Sequence, residues 1–170
     1  MGTTTLKLYS LSYTQAKTYL IAAAFVAGNI ALPQLAHLIP NGGLILLPIY
    51  FFTLIGAFKY GWKLGLLTAI LSPVINHLLF GMPMINVLPE IVMKSSLLAL
   101  AAGFAAHYFK RISIPIMIAV VLSYQVVGVL GEWILKGDFY VAVQDFRIGI
   151  PGMVLQVVGG YMFIKYLIRK

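Results

Sequence analysis

Residues 89–110 read "PEIVMKSSLLALAAGFAAHYFK". An acid and a base, Glu90 and Lys94, stand four residues apart at the start, and residues 97–109 then carry no Lys, Arg, Asp or Glu. A helix on a soluble protein would keep such a pair on a wet face and continue that face onward. This stretch instead reads as lipid-soluble helix with a charged pair at its mouth.

The rest of the chain agrees. Of 170 residues, 61% are hydrophobic and 9% charged, and a mean hydropathy of +0.97 excludes a soluble core wrapped in a polar surface. Apolar runs punctuated by Pro, Gly and charges give six candidate spans: 18–38, 44–58, 62–79, 89–109, 115–135 and 151–167. At roughly 20 residues per span, little is left for loops and nothing for a soluble domain. The expectation is one all-α integral membrane domain over residues 1–170, with six transmembrane helices. The second span covers only roughly 22 Å of a hydrocarbon layer about 30 Å thick, so its ends need protection by neighbouring protein. Three spans open on Pro89, Pro115 and Pro151, where a missing N–H costs a helix nothing.

Orientation follows from the basic residues. With the amino terminus inside, the inner side receives Lys7, Lys17, Lys59, Lys63, Lys110, Arg111, Lys165, Arg169 and Lys170, and the outer loops only Lys136 and Arg147. Both termini are therefore expected in the cytoplasm of a bacterial inner-membrane protein. The net charge of +8 then reports orientation and attraction to membrane lipid, and no nucleic acid is needed to explain it. Leu6 stands where a myristoylated chain needs Ser or Thr, and the first apolar run is too long for a cleaved signal. The chain has no Cys, hence neither disulfide nor thiolate site.

All four acids, Glu90, Glu132, Asp138 and Asp145, fall on the outer side. Lys94, Arg147, Gln125 and Gln156 join them there or just below, so polarity converges on the outer ends of the fourth to sixth spans. Two readings of Glu90 and Lys94 stand: a helical ion pair in the favourable order, or part of the lining of an outward-facing pocket, as ionisable groups in membranes tend to be. Gln125, Gly128 and Glu132 share one face of the fifth span; Gly149, Gly152, Gln156 and Gly159 share one of the sixth. Such glycines either let helices pack closely or leave room for a ligand.

Catalysis finds no constellation. His37, His77 and His107 belong to no metal-protease sequence, and no Gly-x-Ser-x-Gly elbow is present. Residues 56–63, "GAFKYGWK", fail as a phosphate loop because Lys63 does not directly follow the second glycine and no Ser or Thr comes next. The chain is expected to be no enzyme and to use no cofactor or metal. In the first span, Ala23, Ala27 and Ala31 form a small-residue ridge, with Ala24 and Gly28 beside it. It permits close helix approach, either within the chain or with a partner.

The six spans, inside termini, length, the Ala23-x-x-x-Ala27 pattern and the run "LPIYFFTLIGAFKYGWKLGLLTAILSPVINHLLFGMP" at 47–83 resemble the substrate-binding S components of energy-coupling factor transporters, bacterial importers of vitamins and micronutrients. The resemblance implies a high-affinity binding subunit that works with a transmembrane coupling subunit and two ATPase subunits. It implies that the alanine ridge meets the coupling subunit and that the ligand pocket is built from the fourth to sixth spans. The loop between the first two spans, residues 39–43, would be its lid, and the turn residues Pro40, Asn41, Gly42 and Gly43 suit that role. Candidate substrate-binding residues are Asn41, Glu90, Lys94, Gln125, Glu132, Trp133, Arg147 and Gln156. The amino-terminal residues lack the early His of metal-transporting variants, and Trp133 is the one outer tryptophan, so no aromatic stacking cage is evident. The rival readings are a non-transporting membrane scaffold or assembly protein, which would not require the paired charges, and an intramembrane enzyme, for which no nucleophile or metal constellation is present.

Overall fold

A computed structural model describes residues 4–5 and 11–167, without the side chains of Thr4, Thr5, Asp145 and Leu167. Lys7, Arg169 and Lys170, and the Met1, Gly2 and Leu6 positions read for lipidation and metal binding, lie outside the described residues. The elements run α1 (Ala16–Ala36), α2 (Gly42–Leu46), a 3-10 turn (Pro48–Tyr50), α3 (Phe51–Tyr60), α4 (Trp62–Phe80), α5 (Leu88–Phe109), α6 (Ile114–Lys136), α7 (Phe139–Ile148), α8 (Ile150–Met162) and a closing π-turn (Phe163–Leu167). Two short strands, β1 (Thr4–Thr5) and β2 (Arg111–Ile112), pair antiparallel with Thr4 opposite Ile112.

Four helices, α1, α4, α5 and α6, are long and apolar enough to cross a membrane, and a fifth is added if α7 and α8, bent 48° apart, form one broken span. Pro89, Pro115 and Pro151 each occupy the first turn of their helix, as the sequence predicts. The second predicted span does not form one helix. Leu47 adopts a left-handed conformation at φ 47°, and Pro48 after it disfavours helical backbone at that position, so the segment breaks into α2, a 3-10 turn and α3. The residues before the sixth span, predicted as loop, form α7. Its axis cannot run straight into α8 because the Pro151 ring would meet the carbonyl of Arg147 four residues back.

The ten-residue α3 is the centre of the bundle. Every residue from Thr53 to Lys59 is buried, and Leu54, Ile55 and Phe58 pack with Leu98 and Ala102 of α5, Met117 and Tyr124 of α6, and Ile164. A helix apolar on all sides is one surrounded by protein, which explains how so short an element survives here. Close approach is set by small residues: a Cβ on Gly65 would collide with Ala57, and one on Gly103 would lie 2.7 Å from the Trp62 backbone nitrogen. Asn29, fully buried on α1, pins the layers together. Its amide donates to Thr53 Oγ1 at 3.0 Å and Ser72 Oγ at 3.1 Å, and its carbonyl accepts from the Phe52 N–H at 2.9 Å. Outside, Leu20, Leu78, Ile134 and many other large apolar side chains are exposed, an exterior far larger than a soluble monomer displays.

The helices run antiparallel in turn, so charges separate to opposite ends. Lys17, Lys63, Lys110, Arg111 and Lys165 mark one end; Glu90, Glu132, Lys136 and Asp138 mark the other. The second end carries the site.

Candidate functional site

The first turn of α5 and the last turn of α6 lie side by side at the acidic end, because the two helices pack antiparallel. Four charged side chains meet there in a chain. Lys94 Nζ lies 2.6 Å from Glu132 Oε2, Glu132 Oε1 lies 3.0 Å from Lys136 Nζ, and that same ammonium lies 2.8 Å from Glu90 Oε2. Glu90 therefore pairs with Lys136, and Lys94 with Glu132, across the two helices. Gly128 is the reason. A Cβ there would sit 2.7 Å from Lys94 Cγ, so the bare backbone of α6 forms a notch across which the Lys94 stem lies before turning to Glu132 one helical turn on. The Lys94 side chain is 1% exposed and that of Glu132 4%, whereas that of Lys136 is 29% exposed at the mouth. For a buried pair such as Lys94 and Glu132, removal of either partner strands a charge.

Above this quartet lies a cavity of about 640 Å³, within the range of small-molecule sites. The α1–α2 connection, His37 and Ile39 to Gly43, contributes one part of its lining. Met82, Pro83, Met84 and Val87 before α5, and Val141 and Gln144 of α7, line it as well. The lining is mostly apolar, with its charges confined to Glu90, Glu132 and Lys136. The turn of the α1–α2 connection is specified by Asn41 at φ 56° and by Gly42, where a Cβ would collide with the Ala36 carbonyl oxygen. Gln34 donates from α1 to Asn76 Oδ1 at 3.1 Å on α4, and His77 bonds the Pro83 carbonyl at 2.7 Å, fixing the walls from behind.

Of the residues singled out from sequence, Asn41, Glu90 and Glu132 line the cavity, and Lys94 lies just behind Glu132. Gln125 and Gln156 are buried deeper between the helices. Gln156 accepts from Tyr124 Oη at 3.0 Å, but its Nε2 and both polar atoms of Gln125 have no hydrogen-bond partner among the described residues. A buried amide left so costs about 1–3 kcal/mol. Trp133 faces outward, half-exposed against Phe139 at 5.4 Å, and Arg147 is exposed at the end of α7; neither lines the cavity. Lys136, His37, Asn76 and Gln144 line it without having been singled out. The Glu132-x-x-x-Lys136 spacing was the available signal for the first; the other three depend on tertiary packing alone. Among the described residues no group of three or more His, Cys, Asp or Glu converges to hold a metal. On α1, Ala23, Ala27 and Ala31 are all exposed on the outer surface, while Ala22, Val26, Asn29 and Pro33 face the bundle.

Neither a protein-family model, nor a curated protein, nor a solved structure matches the chain.

Proposed function

We propose that this chain is the substrate-binding subunit of an energy-coupling-factor type importer, crossing the bacterial cytoplasmic membrane six times with both termini inside. It captures a vitamin-like small molecule from outside and hands it to a transmembrane coupling subunit driven by two ATPase subunits. The observation that carries the proposal is the cavity of about 640 Å³ at the acidic end of an apolar helical bundle, lined by the α1–α2 connection and by Glu90, Glu132 and Lys136. A cavity of mostly apolar lining with a few convergent polar groups is the usual form of a small-molecule site. The charges sit at the end that a positive-inside orientation turns outward, which suits capture from the medium. The exposed alanine ridge of α1 supports the partner half of the proposal, since small residues let a second helix approach closely.

The test is to purify the protein in detergent, denature it, and identify released small molecules by mass spectrometry. One compound at near-stoichiometric yield is expected. Repeated preparations that release only lipid and detergent would count against a high-affinity binding subunit and in favour of a membrane scaffold.

A further inference from the structure

Building on the proposed binding role, we infer that the ligand carries a protonated amine, which takes the place of the Lys136 ammonium between Glu90 and Glu132. Two carboxylates from different helices converge in the cavity wall on one cation, with Lys136 Nζ 2.8 Å from Glu90 Oε2 and 3.0 Å from Glu132 Oε1. These are the contacts a ligand ammonium would make. Among the described residues, Lys136 is the one Lys or Arg in the lining, facing two carboxylates there.

The occupant is built to leave. Lys136 is the last residue of α6, followed by Gly137 at φ 71°. Its side chain is the most exposed of the quartet at 29%, and a released ammonium would rest in water beside the negative end of its own helix, where cations are favoured. Lys94 differs: its stem is locked over Gly128 and its head buried on Glu132 Oε2. It holds Glu132 in place and leaves Oε1 turned to the cavity side. An anionic ligand has no equivalent seat. To reach Lys136 it must come within the same few ångströms of both carboxylates, in a desolvated wall where like charges repel strongly.

The tethered cation competes with the ligand's, so apparent affinity is reduced by the fraction of time Lys136 occupies the pair. Three probes of similar shape separate the charge requirement: phenethylamine, 2-phenylethanol and hydrocinnamate, which are cationic, neutral and anionic. Each is titrated by calorimetry into ligand-stripped, detergent-purified full-length protein and its Lys136→Gln and Glu90→Gln variants. Phenethylamine is expected to bind best, to bind about tenfold or more tightly to Lys136→Gln, and about tenfold or more weakly to Glu90→Gln. Neither substitution removes a member of the Lys94–Glu132 pair, and the melting temperatures of both variants are checked alongside. Preference for hydrocinnamate, or weaker amine binding by Lys136→Gln, would overturn the inference while leaving a binding cavity. Binding of none of the three to protein that does release a native compound would overturn it also. Failure of that release is the separate outcome that refutes the binding role itself.

Discussion

Gly128 and Gly131 stand three residues apart on α6, and an alanine at each adds the same methyl group to the same helix with opposite expected results. At Gly128 the new Cβ would lie 2.7 Å from Lys94 Cγ, 3.4 Å from Cδ and 3.3 Å from Cε. Carbon atoms pack comfortably at about 3.5–4.0 Å, so the stem must move by roughly 1 Å. It is held at both ends, by the α5 backbone and by Glu132 at 2.6 Å, and cannot move without stretching that pair. At Gly131 the Cβ would meet Sδ and Cε of Met93 at 2.8 and 2.9 Å, the free end of an unbranched side chain that swings aside. Alanine in place of glycine favours a helix by about 1 kcal/mol, and overpacking costs about 1–3 kcal/mol. Gly131→Ala is thus expected to be neutral or stabilised by up to about 1 kcal/mol, and Gly128→Ala to lose up to about 2 kcal/mol net. Equilibrium unfolding in mixed detergent and SDS micelles measures both. A Gly128→Ala protein as stable as Gly131→Ala would refute the notch and the buried path of Lys94 across it.

Three further outcomes follow from the same geometry. Gly42→Ala sets a methyl group against the Ala36 carbonyl oxygen and forces the turn of the α1–α2 connection open, so release of the native compound should be at least about tenfold faster, equivalent to about 1.4 kcal/mol, as followed by filter retention. Ala23→Leu with Ala27→Leu alters only exposed positions, so stability should stay within about 0.5 kcal/mol while cellular uptake is abolished; a variant that unfolds would assign the ridge to internal packing. Because the chain has no native Cys, single cysteines at the exposed positions Leu38 and Gly137 should react with an impermeant maleimide on intact cells and those at Lys17 and Lys110 should not. The reverse pattern would invert the topology.

Much of the helical frame was legible because its signals are local. Proline in the first turn of α5, α6 and α8 needs only the missing N–H, and the sorting of Lys and Arg from acids needs only the connections between helices. The Gln125–Gly128–Glu132 face was also visible from helical periodicity, and it is the lane that receives Lys94. What the periodicity could not supply was the partner choice. Glu90 and Lys94 are spaced to pair with each other, whereas the contacts of Glu90 with Lys136 and of Lys94 with Glu132 need the juxtaposition of α5 with α6. The break at Leu47 was hidden for a similar reason, since its residues are as apolar as a span and the left-handed turn before Pro48 has no glycine to announce it. Trp133 and Arg147 are absent from the cavity lining, since a position along a helix does not say which side of it faces the cavity.

The central claim is that the cavity beneath the α1–α2 connection holds a small molecule. Native mass spectrometry of the intact protein tests it most directly when wild type is compared with a variant carrying Val87→Trp and Val141→Trp, two lining positions at which indole rings would crowd the space while all four charged residues are kept. Wild type is expected to carry one non-lipid adduct per chain, and the folded double variant none. An adduct retained by the double variant at unchanged occupancy would put the binding site elsewhere.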